Sequence, residues 1–398
     1  MKLVLRKNYS LSRELIKCSL LIFPFMKPNG MANINRIINN AYIVLMVISF
    51  SVVIMEVIVR HIKLNMYIYL LAFFMGWLVL RSFFAGGQTG SLLEIAMRFG
   101  GISVLIQLYS KQVSTLIRGF FINFEAIIYL NFICLLLYPH GMYVSSQTGN
   151  WNNWLLGYDN HWFIVYFGAC FILFTYSYIF NCITRPFLLF CIIHISSFIV
   201  MSGAIIVGLL LIDFFWIFKI YKSPLFTYRT IWIVAIIVNA MFIFIGGSGI
   251  ISFIIYSVLQ KSSATLLSRQ RIWEKTILSI KDNLLFGVGK PQTIDRIAFY
   301  NNRHASNAHN FLLEIVFEGG MVALLLFYFM VRFVGKRLKN HSDNPITGFL
   351  LLALMACLVT GSIDSFLEDR GYMFFALLAF ASNIEMFSGI AMNSSNGQ

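Results

Sequence analysis

Charged residues are scarce in this sequence, and acidic residues are the scarcest. Only 12% of the 398 residues are charged and only 16 are Asp or Glu, whereas a soluble domain usually has about 25% charged residues. So few charges cannot cover a water-exposed surface when 59% of the residues are apolar and 40 of them are Phe. The composition therefore excludes a soluble globular enzyme, a disordered protein and a coiled coil.

Paired cysteines are also lacking. The six Cys residues all lie within apolar runs or at the edge of one, and no Cys-x-x-Cys motif occurs. This pattern predicts neither a disulfide framework nor a metal cluster. We therefore expect a protein that works without a metal or another cofactor.

The sequence does contain long apolar runs. A helix needs about 20 mostly apolar residues to cross a bilayer core of about 30 Å, and these runs lack the alternation typical of a membrane barrel. They predict an all-α, polytopic membrane protein with about twelve transmembrane helices. The pair within 187–219 is short for a hairpin, and one long or broken helix is the alternative. The predicted spans are 11–26, 41–59, 66–84, 91–109, 119–138, 162–182, 187–201, 203–219, 230–248, 311–331, 346–364 and 371–389.

Basic residues predict the orientation of these spans. If the N-terminus is cytoplasmic, sixteen Lys and Arg residues fall in cytoplasmic segments and three in short outer segments. This asymmetry favours two cytoplasmic termini. The net charge of +14 is thus explained largely by orientation signals, and we expect no nucleic-acid partner. No small-residue cleavage site follows the apolar stretch 15–26, which predicts an uncleaved first span.

Two predicted outer loops are longer than a simple connection needs. The loop 139–161 has no Lys or Arg but is rich in Trp, Tyr, Asn and Gly, and it contains Trp154 and Asp159. Such residues suit sugar binding, and an interfacial aromatic belt is the alternative. The segment 249–310 holds eight Lys and Arg residues, and loops of this length are usually functional. We therefore expect a membrane domain at 1–248, an outer loop with the active site at 249–310, and spans 10–12 with a cytoplasmic tail at 311–398.

The first half of the long loop has the apolar spacing of an amphipathic helix. Its apolar positions include Trp273, and the spacing predicts a helix over 262–283 that lies on the outer membrane surface. Arg269 lies one turn before Trp273. An Arg there could snorkel toward lipid phosphate, or its planar guanidinium could bind a phosphate of a lipid-linked substrate.

The end of the loop places His309 and Asn310 at the outer end of the next span. Histidine is a natural general base because its ordinary pKa lies near neutrality. Glu314 and Glu318 follow at helical spacing, so one of them could orient the imidazole or simply favour the helix dipole. A metal bound by His304 and His309 is disfavoured, since no nearby carboxylate or Cys completes the ligands.

Charged residues also interrupt the apolar spans. Intramembrane charges are costly and indicate functional sites. Arg81 and Glu94 lie near the outer ends of neighbouring spans and could pair. Arg98, about two turns deep from the outer end of its span, predicts a polar cavity that opens outward.

These motifs together resemble a known family. The stretches 268–273 (SRQRIW), 286–289 (FGVG) and 308–310 (AHN), with Leu313, Glu314, Glu318 and Gly319, resemble the outer-loop signature of the O-antigen ligase and O-antigen polymerase superfamily, which comprises bacterial glycosyltransferases of the GT-C type. The resemblance covers about residues 260–330, and the layout of spans extends it less specifically to the whole chain. Residues 138–141 and 153–160 look more like the repeat-unit polymerases of capsular polysaccharide or O-antigen synthesis than the ligases.

The resemblance implies a substrate and a set of roles. The donor would be an oligosaccharide linked through pyrophosphate to undecaprenol, transferred on the outer face of the membrane without metal or nucleotide sugar. Membrane lipids, a chain-length regulator and a flippase are the other expected partners. His309 would activate the acceptor hydroxyl and Arg269 would bind the pyrophosphate. Further candidates for substrate binding are Arg98, Arg271, Trp273, Asn310, Asp159 and Trp154.

One motif departs from the family. Its members often carry an Arg after the Ser in the outer turn between spans seven and eight, but here this turn reads Met-Ser-Gly-Ala at 201–204. Arg98 or another basic residue is then expected to supply the missing charge.

Three functions follow as hypotheses. In the leading one, the protein polymerises repeat units by transferring the growing chain to the non-reducing-end hydroxyl of a new lipid-linked unit. In the second, a ligase uses the same donor but transfers the glycan to a lipid A core or a protein. In the third, the chain is a transporter without chemistry. Transporters usually show internal repeats and broken midplane helices, and the sequence predicts neither.

Overall fold

The structure is a computed structural model that describes residues 13–144, 152–245, 263–302 and 305–388. The start of the long outer loop (246–262) and His304 lie outside the described residues. The described part is helical apart from one short hairpin, β1 (Asn153–Trp154) and β2 (Gly157–Tyr158). Its helices are α1 (residues 13–22), α2 (Met31–Ile34), α3 (Arg36–Val59), α4 (Met66–Phe84), α5 (Thr89–Leu108), α6 (Val113–Leu137), α7 (Phe163–Phe180), α8 (Thr184–Val200), α9 (Gly203–Ile217), α10 (Tyr228–Ile245), α11 (Ser263–Asp282), α12 (Thr293–Tyr300), α13 (Phe311–Lys339), α14 (Pro345–Thr360) and α15 (Tyr372–Ser382).

The apolar helices confirm an all-α, polytopic membrane protein. Six of them are long and apolar enough to cross a membrane, namely α3 to α7 and α13, while α8, α9, α10, α14 and α15 are apolar but shorter. A helix satisfies its backbone hydrogen bonds internally, as a lipid-spanning segment must. The segment 187–219 forms two helices, α8 and α9, rather than one long helix.

Asparagine side chains define where several helices begin. Asn35, Asn65, Asn310 and Asn344 each precede a helix, and each side chain accepts a hydrogen bond from a backbone N–H of the first turn. This capping satisfies donors that have no partner within the helix. The starts of α3, α4, α13 and α14 are therefore fixed by the local sequence.

The short helix α15 lies at the centre of the bundle. All eleven of its residues are buried, and it packs against α5, α7, α13 and α14. Its last residue, Ser382, accepts a hydrogen bond from Asn65 Nδ2 at 3.0 Å, in the turn between α3 and α4. Eleven residues span only about 16 Å, about half of a bilayer core. The opposite end of α15, at Tyr372, is therefore recessed within the bundle.

The segment that joins α14 to α15 differs from its prediction. The span predicted at 346–364 ends as a helix at Thr360, so Asp364 lies in an irregular connection that ends in a 3-10 turn at Asp369–Gly371. The connection stays buried, with Ser362, Asp364 and Arg370 all at most 2% exposed. Its polar residues end the helix early, because they pair with one another and with neighbouring loops rather than continue an apolar span.

Helix α13 is broken at Gly320, where the sequence predicted no broken helix. Gly320 has φ 65° and ψ −163°, a conformation that L side chains rarely adopt. A Cβ built on Gly320 would also lie 2.3 Å from the carbonyl oxygen of Leu285. The expectation was wrong because two successive glycines allow the chain to bend where another segment approaches.

The approaching segment satisfies the backbone at the break. The N–H groups of Val288 and Gly289 donate to the carbonyls of Phe317 and Glu318, each at 2.8 Å, and Met321 N–H donates to the carbonyl of Leu284 at 2.9 Å. Non-helical backbone is tolerated at membrane depth when it is buried in protein. The Gly-x-Gly turn at 287–289 is thus a docking segment that attaches the outer loop to α13.

Candidate active site

Helix α11 is attached to the loop that carries His309. The indole Nε1 of Trp273 donates to the carbonyl of Ala308 at 3.0 Å, and Thr276 Oγ1 lies 3.0 Å from the Tyr300 hydroxyl. Trp273 is only 1% exposed. On the predicted apolar side of this helix, Trp273 is packed on protein, whereas Ile277 and Ile280 are half-buried and Leu284 is exposed. The burial of Trp273 fixes the backbone immediately before His309.

A buried ion-pair cluster between α12 and α13 holds the loop that carries His309. Arg296 on α12 pairs with both Glu314 and Glu318 on α13, and all three side chains are at most 3% exposed. Glu314 Oε2 also accepts a hydrogen bond from the backbone N–H of Ala308 at 2.7 Å. Buried charges are stable when they are paired in this way. The two glutamates therefore hold the backbone and Arg296, and neither orients the imidazole as the sequence suggested.

Side-chain hydrogen bonds also fix His309 and its neighbour. His309 has φ 47°, and its backbone N–H donates to Asn307 Oδ1 at 2.7 Å. Asn310 caps α13, and its Nδ2 donates to Asn239 Oδ1 at 3.0 Å and to the carbonyl of Ser362 at 3.1 Å. Asn310 is fully buried, so it joins the His309 loop to α10 and to the connection before α15.

The carboxylate partner of His309 is Asp364. His309 Nδ1 lies 3.5 Å from Asp364 Oδ1, and the Asp364 side chain is 3% exposed. Burial alone would raise the pKa of Asp364, but Arg370, His309 and His161 outweigh it and hold this pKa well below its usual range. An ionised Asp364 favours the imidazole tautomer with its proton on Nδ1. The lone pair of Nε2 is then free to accept a proton.

Asp364 belongs to a second group of paired residues. Arg370 Nη2 lies 3.5 Å from Asp364 Oδ1 and 3.0 Å from Glu368 Oε2. Glu368 Oε1 accepts a hydrogen bond from Asn307 Nδ2 at 2.8 Å. The connection between α14 and α15 is therefore linked to the His309 loop through two separate pairs. Sequence reasoning missed Asp364 and Arg370, although the dense polar run at 362–370 within apolar sequence was a signal.

Arg269 faces the same carboxylate from α11. Burial lowers the pKa of Arg269, and Asp364 and then Tyr158 act in the opposite direction. Within the part of the chain that the structure describes, Arg269 makes no ion pair. A guanidinium without a paired carboxylate is suited to bind phosphate oxygens. The structure thus brings Arg269 and His309 close to one shared residue, Asp364.

The first outer loop reaches the site through its hairpin. Burial, Asp159 and Asp364 raise the pKa of Tyr158 to about 12, while Arg269 opposes them. The rings of Tyr158 and His161 meet edge to face with centroids 5.3 Å apart. Tyr158 therefore stays a neutral phenol beside Asp364. The sequence pointed to this loop through its composition but did not single out Tyr158 or His161.

Trp154 and Asp159 hold the hairpin together. Trp154 is 3% exposed, its Nε1 donates to the carbonyl of Tyr138 at 2.7 Å, and its ring meets Trp162 edge to face. Asp159 is also buried, and its carboxylate accepts the backbone N–H of Asn160 at 2.6 Å. Both side chains thus shape the loop from inside.

The remaining candidates are Arg98 on α5 and Arg271 on α11. Arg98 is buried on α5, with its Nη2 4.0 Å from Glu94 Oε1 and its guanidinium 5.5 Å from the centre of the Tyr372 ring. Arg98 thus packs at the outer end of α15. The suggested pair between Arg81 and Glu94 is wrong, because Arg81 donates to the carbonyl of Gly287 and Glu94 pairs with Lys27. Arg271 is exposed on α11.

Comparison with known families agrees with this geometry. A search of curated proteins gave no match. Residues 163–328 match the family described as O-antigen ligase, and this region runs from α7 past the break in α13 and includes both Arg269 and His309. The match bears out the resemblance drawn from the outer-loop motifs. Residues 163–328 are therefore similar to the O-antigen ligase family, which is consistent with the O-antigen ligase and polymerase superfamily.

Proposed function

We propose that the protein is a membrane glycosyltransferase that polymerises oligosaccharide repeat units linked through pyrophosphate to undecaprenol. The observation that carries this proposal is the His309–Asp364 pair next to Arg269. A general base oriented by a carboxylate, beside a cation suited to phosphate, is what transfer from such a donor requires. The matched family supports a function of the ligase or polymerase type.

In the proposed reaction, an acceptor hydroxyl attacks the anomeric carbon of the growing chain. Nε2 of His309 takes the hydroxyl proton while the new C–O bond forms. The bond between the anomeric carbon and the pyrophosphate oxygen breaks, and undecaprenyl pyrophosphate leaves with the electron pair. Because pyrophosphate is a good leaving group, Arg269 needs only to stabilise its developing charge.

Other predicted residues take supporting roles in this proposal. Trp273 and Asn310 hold the backbone on either side of His309, so we assign them to positioning rather than to direct substrate contact. Trp154 and Asp159 shape the hairpin that carries Tyr158 toward the acceptor. Arg98 supports the outer end of α15, and the exposed Arg271 is a candidate for the outer part of the donor.

We also propose an orientation in a bacterial inner membrane with both termini cytoplasmic. The turns at the end of the bundle that holds His309 contact one another. The backbone N–H of Gly30 donates to the carbonyl of Leu155, and the backbone N–H of Gln88 donates to the carbonyl of Lys290. Among the described residues, the basic segments predicted to be cytoplasmic lie at the opposite ends of these helices. Donor and acceptor would then reach the site from the outer leaflet, supplied by a flippase and controlled by a chain-length regulator.

A reconstitution experiment tests the proposed function. The purified protein in lipid nanodiscs is incubated with a radiolabelled, undecaprenyl-pyrophosphate-linked repeat unit, and the products are separated by size. We expect a ladder of longer lipid-linked glycans. An unchanged substrate would overturn the enzymatic proposal and favour a transporter. The break in α13 is a feature that transporters share, but here it is filled by residues 284–289.

The ligase is the second candidate, favoured because the matched family is described as O-antigen ligase. Deleting the gene separates the two candidates through the glycan that remains. Loss of a polymerase leaves glycans with a single repeat unit, whereas loss of a ligase leaves a full-length polymer attached only to its lipid carrier.

A further inference from the structure

We propose that Arg370 is a positioning residue that shares Asp364 with His309 and thereby sets the pH at which His309 accepts a proton. The inference rests on the proposed function only for its biological meaning. The arrangement itself is a property of three side chains that the sequence places on two different loops.

The geometry places one carboxylate oxygen between the imidazole of His309 and the guanidinium of Arg370. Oδ1 of Asp364 lies 3.5 Å from His309 Nδ1 and 3.5 Å from Arg370 Nη2. Nε of Arg370 is held by the carbonyl of Ser365 at 3.1 Å, and the whole side chain is 1% exposed. Arg370 thus cannot move away without losing buried hydrogen bonds, and its charge stays near Asp364.

The Glu368 carboxylate competes with Asp364 for Arg370. Glu368 Oε2 lies 3.0 Å from Arg370 Nη2, nearer than Asp364 does. Asn307, two residues before His309, binds the other oxygen of Glu368. Arg370 therefore interacts with two carboxylates, and the strength of its interaction with Asp364 depends on Glu368.

Charged and titratable groups approach Asp364 from each neighbouring segment. His161 and Tyr158 come from the hairpin loop, Arg269 comes from α11, and His309 and Arg370 flank the carboxylate directly. Among the described groups that contact Asp364 directly, Arg370 is the one with a permanent charge. It is therefore the group whose removal changes the field at His309 without removing a proton acceptor.

The sign of the effect follows from electrostatics. The fixed positive charge of Arg370 disfavours a second positive charge on His309. It also offsets part of the negative charge of Asp364, which would otherwise stabilise the imidazolium. Neutralising Arg370 lets His309 hold its proton to higher pH. Neutralising Glu368 has the opposite effect, since it removes a negative charge and leaves Arg370 to Asp364 alone.

The test reads the protonation of His309 without relying on glycosyl transfer. Diethyl pyrocarbonate modifies neutral imidazole, so the full-length protein in nanodiscs is treated between pH 5 and 9. Modification of the peptide that contains His309 is then measured by mass spectrometry. His140, which is exposed and outside the site, serves as the internal reference. This readout stays valid even if the protein transfers no sugar.

Four variants give the comparison. We expect Arg370→Gln to shift the midpoint of His309 modification upward by about one pH unit, the effect of about 1.4 kcal/mol, and Glu368→Gln to shift it downward. Arg370→Lys, which keeps the charge, should leave the midpoint near that of the unmodified protein. Arg337→Gln removes an exposed pair with Glu385 and should not shift it.

Opposite shifts in the two Gln variants, with a constant His140 profile, support the proposal. An unchanged midpoint in Arg370→Gln, or shifts of the same sign in both variants, would overturn it. If Arg370→Gln does not fold, Glu368→Gln alone decides, because a midpoint that stays constant or rises contradicts the proposed sharing. If the unmodified protein transfers no sugar, the proposed function is contradicted, but the proposal for Arg370 is not.

Discussion

At the scale of the residue, the most important group for the proposed chemistry is the Asp364 carboxylate, which faces Nδ1 of His309. Asp364 is the acidic group that faces its imidazole at 3.5 Å, and no feature near His309 in the sequence points to it. The two residues are 55 positions apart and meet only because the connection after α14 is folded inward. The proposed base and the carboxylate that faces it are thus supplied by separate elements.

We expect Asp364→Asn to lower the turnover rate by about 10²-fold or more, within the range of general-base contributions. The amide cannot stabilise the imidazolium that forms when His309 takes the acceptor proton. Initial rates of lipid-linked polymer formation measure the effect, with Asp343→Asn on an exposed turn as the matched control. A rate close to that of the unmodified protein, at equal protein level, would contradict the assigned role.

Arg269 gives a second prediction at this scale. Arg269→Lys keeps the positive charge but removes the planar fork that binds two phosphate oxygens. We expect kcat/KM for the lipid-linked donor to fall about tenfold, equivalent to about 1.4 kcal/mol. Arg36→Lys, an exposed site at the same end of the bundle, should leave it unchanged. If Arg269→Lys retains full activity, Arg269 does not hold the pyrophosphate through a bidentate contact.

At the scale of the element, the break in α13 is held by backbone geometry. We expect Gly320→Ala to destabilise the protein by at least about 1–3 kcal/mol, because a left-handed conformation is strained for a residue with a Cβ and this Cβ would approach Leu285. The thermal midpoint of the detergent-solubilised protein measures the loss. Gly76→Ala on α4 meets no atom within 4 Å and is the control, with little expected change. Equal midpoints for both variants would show that the break is not required.

The elements also show how far the sequence alone can lead. Apolar runs predicted the helices well, including the division of 187–219 into α8 and α9, because lipid burial depends mainly on composition. His309 and Arg269 were identifiable because they stand out in an apolar chain. The partners of His309 were not, since pairing across 55 residues depends on tertiary packing. The same reason explains why Glu314 was expected beside His309 although it pairs with Arg296.

At the scale of the whole molecule, the site and its access belong to one end of the helix bundle. Arg36, Gln88 and the hairpin at 153–158 lie at the end where His309 meets Asp364. The turns 60–65 and 340–344 lie at the opposite end, where Asn65 binds Ser382 and Asn383. Because α15 is short, the paired polar residues of the site lie in a recess of the bundle that is at one end only. In the proposed function, the lipid-linked donor is therefore presented from that side.

This arrangement predicts which face of the membrane can be labelled. In intact cells, a membrane-impermeant maleimide should react with a cysteine placed at Arg36 (Arg36→Cys) but not with one placed at Ser342 (Ser342→Cys). Both positions are exposed, so a difference reports orientation rather than burial. Permeabilising the cells should make Ser342→Cys reactive, and the unmodified protein gives the background from its six native cysteines. The reverse pattern would place His309 on the cytoplasmic side, where an outer-leaflet donor cannot reach it, and would contradict the proposed polymerase.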